Sequence, residues 1–232
     1  MDGTASGDGY FLAAVVDLTR NPAPSPWLRL AHHQTYLSNH ATLARERTIL
    51  DYEFIIQDRG SSWIAFPDRD GWVDLPQGRV ALVPPRLRHG QATPPGSHFA
   101  VHFDIVADTS LVAPEMLAPS GRSVSRGSRE LHPALLVTDA EERREVPFVQ
   151  RPERFDWWTD RARRLVDLWL PGRRTPAGDR LRVLAILTEM LHAFLFQADA
   201  RSAGTKPAPS PTARVGELLA RANVFDRTVT VA

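Results

Sequence analysis

The feature that most constrains this chain is a series of short, evenly spaced β-like segments between residues 28 and 106. HQTYLS (33–38), TILDYEFII (48–56), SSWIAF (61–66), GWVDL (71–75), RVALV (79–83) and SHFAVHFDIV (97–106) are rich in aromatic, β-branched and alternating apolar residues. Turn formers stand between them: DRG (58–60), PDRDG (67–71), PQG (76–78), PPRLRHG (84–90) and PPGS (94–97). Strands recurring roughly every 8–12 residues, without helical periodicity between them, predict an antiparallel sandwich or barrel. A parallel sheet of strand–helix–strand units is excluded for the same reason. YFLAAVVDL (10–18) reads as an earlier strand, and NPAPSPW (21–27) breaks the chain before the main series.

The period changes after residue 151. In PERFDWWTDRARRLVDLWL (152–170), Phe155, Trp158, Ala162, Leu165 and Trp169 recur near a spacing of 3.6, and Pro171-Gly172 ends the helix. A second helix is predicted from Asp179, its N-cap, to Ala200. Its Leu184, Leu187, Leu191 and Phe194 repeat in steps of three and four residues, a seam for packing helix on helix. That seam suits pairing of two subunits, or packing on the chain's own barrel. Between barrel and helices, SGRSVSRGSRE (120–130) reads as a polar loop and REVPFVQ (144–150) as a last strand. RSAGTKPAPSPT (201–212) has linker composition, and ARVGELLARANVF (213–225) returns to helical spacing. The expected layout is a flexible arm (1–27), a barrel (28–150), a helical element (151–200), a linker (201–212) and a helical C-terminus (213–232).

Charge narrows the function. The chain carries 28 basic and 27 acidic residues, a net charge of +1, so it lacks the footprint of backbone-driven nucleic-acid binding. There is no cysteine, which excludes disulfides and thiolate metal sites. No apolar run reaches the roughly 18 residues of a membrane span. The start, MDGTASGDGY, has neither the basic nor the apolar region of a signal peptide. The expected setting is the cytoplasm, away from membranes.

One stretch carries a motif. Gly78, Pro84 and His89 in GRVALVPPRLRH keep the spacing of the second cupin motif, with Arg86 where that motif has glycine. Gly78 turns into a strand, Pro84-Pro85 ends it, and His89 is placed at the mouth of a barrel. Of the first cupin motif, Glu53 and Gly60 keep the tail spacing. The positions for its paired histidines, 46–49, read Glu46, Arg47, Thr48 and Ile49. Metal-dependent cupins hold their ion with three histidines and a carboxylate, so the metal site looks lost here and no cofactor is expected. A barrel without its ion still offers a cavity for a small molecule.

The ordered set goes further: Arg47-x3-Asp51-Tyr52 entering a strand, then Gly60, then Gly78 and PPRLRH, then a His-bearing strand and two helices. It resembles the arabinose-binding and dimerisation domain of AraC-type transcription regulators, over about residues 28–106 and 152–232. The resemblance implies an α+β protein: a cupin-like antiparallel β-barrel (double-stranded β-helix), a two-helix dimerisation element and the truncated start of a DNA-binding domain. It implies a homodimer that senses a small effector, sugar or sugar-like, without catalysis, and that reaches DNA only through a C-terminal domain this chain lacks. Effector contacts then fall on Arg59, His89, Gln91, His102 and Trp63, and dimer contacts on Leu184, Leu187, Leu191 and Phe194.

Each site residue also has a plainer reading. Arg59 sits in a DRG turn and suits solvation; His89 suits a backbone hydrogen bond; the face shared by His98 and His102 suits solvent. Two other functions remain open: a metal-dependent cupin enzyme such as a sugar isomerase or dioxygenase, and a dimerisation-only regulator without effector.

Overall fold

The computed structural model describes residues 9–19, 24–37, 44–92, 94–106, 116–117, 122–140, 142–169 and 177–196. The strands are β1 (Tyr10–Asp17), β2 (Trp27–Tyr36), β3 (Ala44–Ile49), β4 (Tyr52–Phe66), β5 (Gly71–Pro76), β6 (Val80–Val83), β7 (Arg88–Ala92) and β8 (Gly96–Asp104). Then come the short β9 (Met116–Leu117), β10 (Ser123–Val124) and β11 (Arg129–Glu130), followed by β12 (His132–Thr138), β13 (Arg143–Pro147) and β14 (Val149–Gln150). Two helices follow, α1 (Phe155–Leu168) and α2 (Ala177–Phe196).

The architecture turns on β4. Its first half pairs antiparallel with β6 and β8, and its second half with β5 and β7. The first half therefore belongs to a sheet ordered β14-β6-β4-β8-β2, and the second to one ordered β10-β3-β7-β4-β5-β11. The register shifts between Gln57 and Arg59, where the strand passes from one sheet to the other. Gly60 stands there at φ +67, facing Gly96, and a Cβ on Gly60 would lie 2.5 Å from the Pro95 carbonyl oxygen. Only glycine tolerates both that backbone angle and that approach. The segment expected as a DRG turn between two strands is thus the middle of one long strand.

Inner faces of the two sheets meet across the molecule, as the contacts of Arg47 and Ser62 described below show. Among the described residues, hydrogen bonding does not close the sheets into the barrel expected from sequence. The result is an open two-sheet sandwich. A third sheet, β1-β12-β13, has β1 and β12 parallel. It joins the core through Phe11 on Phe66 (5.3 Å between ring centroids), and Phe66 meets Phe148 at 5.6 Å. The strand expected over 10–18 is present at Tyr10–Asp17, within the stretch also expected as a flexible arm.

Alternation along β4 sends Phe54 and Ile56 to the outer face of the first sheet and Glu53, Ile55 and Gln57 to the inner face. Both helices pack on that outer face. Fully buried Phe54 lies 5.5 Å from Trp158 of α1, 5.6 Å from Phe194 of α2 and 5.0 Å from Phe103. Burying one such ring stabilises the fold by about 1.5–3 kcal/mol. Trp158, Ala162 and Leu165, the stripe expected on α1, are buried here. On α2, Leu187, Leu191 and Phe194 are buried in the chain's own core and Leu184 is half-buried. Leu187, Leu191 and Phe194 thus belong to this chain's own core cluster, with Phe194 against Phe54 of the outer face. No described helix is long and apolar enough to cross a membrane. The linker 201–212 and the helical segment 213–232 lie outside the described residues.

Candidate functional site: a charged cup between the sheets

The inner faces carry an unusual concentration of polar side chains. From the first sheet come Glu53 and His102, directly opposite each other, and Gln57 opposite His98. From the second come Arg47 opposite His89, and Gln91 one step further along β7. These positions follow from alternation: 98 and 102 share a face, as do 89 and 91, and 45 and 47.

Arg47 ties the two sheets together. Its Nε donates to His89 Nε2 at 3.1 Å, and one terminal nitrogen (Nη2) donates to Glu53 Oε2 at 2.7 Å and to Gln91 Oε1 at 3.1 Å. Glu53 is 1% exposed and Arg47 20%. The other terminal nitrogen, Nη1, takes no hydrogen-bond partner among the described residues. His89 is wholly buried, and its Nδ1 lies 2.8 Å from the Leu87 carbonyl oxygen. That bond requires Nδ1–H, which leaves Nε2 as the acceptor for Arg47, so both ring nitrogens are committed. His102 is bracketed by carboxylates, with Nδ1 3.2 Å from Asp51 and Nε2 3.4 Å from Glu53. His32 stacks on it at 6.3 Å. Beside this group, Ser62 donates to Gln57 Oε1 at 2.8 Å, and Tyr36 stacks on His98.

Protonation follows from these neighbours. Burial pushes the Glu53 carboxyl up, but the charges of Arg47 and His102 outweigh it and hold it well below the usual range. Burial works against the charge on His102, yet Glu53, with hydrogen bonds to Asp51 and Glu53, lifts it to about 9. Burial, reinforced by Arg47, lowers His89 to about 4. Burial likewise lowers His98 to about 4, and lowers His32 with help from the charge of His102. At neutral pH this buried cluster thus holds an ionised Glu53, a protonated His102 and uncharged His89 and His98.

Of the five residues expected to contact an effector, His89, Gln91 and His102 belong to this cluster. Arg59 is exposed and engages it only through its backbone carbonyl, which accepts a 2.7 Å bond from Gln57. It sits at the register shift of β4, which turns its side chain outward. Trp63 pairs with Ala92 and Asp74, one residue away from the Ile64–Gln91 pair, so its ring lies on the opposite face from Gln91. Sequence reasoning missed Arg47 as a site residue. The signal was there: Arg47 falls within the window where the first cupin motif places its histidines. Arg86, in the glycine position of the second motif, adopts φ +66, the left-handed angle that glycine favours.

The cupin motifs imply a metal, and the donor set here does not fit one. His89 Nε2 and Glu53 Oε2, the two surviving donors, are both bonded to the Arg47 guanidinium. Among the described residues, no group of three or more histidine, aspartate and glutamate side chains has the geometry to hold an ion. A cation from the chain itself occupies their common centre.

No family model matches the chain, and no curated protein does. Among solved structures it is similar to a variant of oxalate decarboxylase from B. subtilis, at 12% identity over 55% of this chain and 41% of that one, with a TM-score of 0.33. A structure on the substrate binding mode of oxalate decarboxylase matches at 13% identity over 56% of this chain and 41% of that one, with a TM-score of 0.32. The polyketide cyclase RemF from Streptomyces resistomycificus matches at 13% identity over 38% of this chain and 80% of its own, with a TM-score of 0.25. The chain thus spans two fifths to one half of the oxalate decarboxylases it matches. These neighbours are cupin-fold proteins. Their names are those of enzymes, and the expectation from sequence that catalysis is excluded is withdrawn. None of these findings points to a transcription regulator.

Proposed function

We propose that the cup between the two sheets recognises a small polar organic molecule without a metal ion, using the Arg47 cluster as its floor. One observation carries this reading: Arg47 is held by His89, Glu53 and Gln91 through two of its nitrogens, while its third nitrogen has no hydrogen-bond partner among the described residues. A guanidinium fixed by its neighbours and still offering a free donor is preorganised for an acceptor on a ligand. Gln91 supports the same reading, since its Nε2 is buried with no hydrogen-bond partner among the described residues. An orphaned donor of that kind costs about 1–3 kcal/mol, which an incoming acceptor relieves.

Two outcomes are open to a bound molecule. Conversion is favoured by the opposed protonation of His89 and His102, since displaced titration in a cup is the mark of acid–base sites. Simple sensing is favoured by the ordered resemblance to the AraC-type effector domain. In that case the effector occupies the cup, and two copies pair through a face other than the buried Leu187 stripe. The test is calorimetry of metal-free protein against a library of sugars, sugar acids and small aromatic acids, followed by mass spectrometry of the recovered ligand. Saturable one-to-one binding that is lost in Arg47→Met supports the reading. A chemically altered ligand assigns catalysis, and an unchanged one assigns sensing. Binding that appears only after divalent metal is added overturns it.

A further inference from the structure

Resting on the proposed use of the cup, the geometry points to a small carboxylate as its ligand, held by Arg47 and by Arg45 at the rim. Arg45 and Arg47 alternate onto the same face of β3. They form a short ladder, with Ile49 buried below, Arg47 one-fifth exposed in the middle and Arg45 exposed at the top. Arg45 pairs across the sheet with Gln91 on one side and with Ser123 on the other. It makes no ion pair with any described residue. Along this row Arg45 and Ser123 are exposed, while the Gln91 amide between Arg45 and the floor is buried.

Charge arithmetic selects the class. In the floor, the positive charges of Arg47 and His102 are matched by Glu53 and Asp51, each in direct contact with its partner. His89, His98 and His32 add no charge at neutral pH, since all three are pushed down. On the outer face of the same strand, Glu46 is engaged by Arg88 through two bonds of 2.8 Å, so it does not neutralise Arg45. Arg45 therefore adds a positive charge that no described residue pairs, at the exposed edge of the cluster. A monoanion balances it, and a carboxylate in particular accepts from two guanidinium donors at once. A neutral sugar leaves Arg45 uncompensated and gains only neutral hydrogen bonds.

The experiment is a matched titration of the full chain by calorimetry: acetate, glycolate and benzoate, each against its primary amide. The carboxylate of at least one pair is expected to bind tenfold or more tightly than its amide and to weaken as salt rises from 50 to 500 mM. In Arg45→Gln, which lies at an exposed position and leaves the floor intact, that preference is expected to fall below threefold. Acid and amide binding equally, or a preference unchanged in Arg45→Gln, overturns the carboxylate assignment while leaving ligand recognition by the cup standing. Binding of neutral sugars alone has the same effect. No binding by any of these, nor by the wider library, overturns both.

Discussion

His89 and His102 belong to one cluster and titrate in opposite directions, and this sets how the fold responds to pH. An unfolded histidine titrates near 6.5. His89 and His98 titrate at about 4 in the fold, so between pH 4 and 6.5 the unfolded chain binds more protons and stability rises with pH. His102 keeps its proton to about 9, so between pH 6.5 and 9 the folded chain binds more and stability falls with pH. Glu53, held low, adds to the loss at the acid end. Urea midpoints measured from pH 4 to 9.5 are expected to peak near 6.5, and His102→Gln is expected to remove the alkaline decline. A flat native profile above pH 6.5 contradicts the arrangement. Glu53→Gln leaves Arg47 and His102 without their buried counter-charge, an expected loss of about 3–5 kcal/mol in urea denaturation. Combining Arg47→Met with Glu53→Leu is expected to cost less than the two single changes together, because no charge is then stranded.

Among the elements, β4 and α2 make the clearest claims. Gly60→Ala places a Cβ within 2.5 Å of the Pro95 carbonyl at a left-handed angle, with backbone on both sides. Its expected cost is above about 2 kcal/mol, more than an exposed strand position normally shows. Leu187 is fully buried on this chain's own sheet, so Leu187→Ala is expected to lower stability by about 2–5 kcal/mol and to leave the sedimentation coefficient unchanged. A shift toward monomer at constant stability contradicts that placement. The sequence made most strands and both helices legible, because alternation and 3.6-residue periodicity are local signals. It split β4 in two because Gly60 in DRG has turn chemistry, and nothing local distinguishes a turn from a strand bending between sheets. It hid β7, whose residues lie among turn formers, and β12, which finds its partners far away at Tyr10–Asp17 and Arg143–Pro147. Within the site, His89 was legible from motif spacing. Arg47 was not, because a search for metal ligands passes over the residue that takes the ion's place.

At the scale of the whole molecule, the two sheets are bridged across their interior by the Arg47 side chain. Treatment with EDTA is therefore expected to leave the melting temperature within about 1 °C, where a structural ion would lower it by many degrees. Thermal shift with and without chelator reads this directly, and a large drop refutes the guanidinium-centred floor. One further consequence lies in β4, where Glu53 and Phe54 are consecutive. One grips Arg47 in the interior, and the other anchors both helices outside. A bound molecule that displaced Glu53 would act beside the residue that anchors both helices, and any coupling between the two would run in both directions.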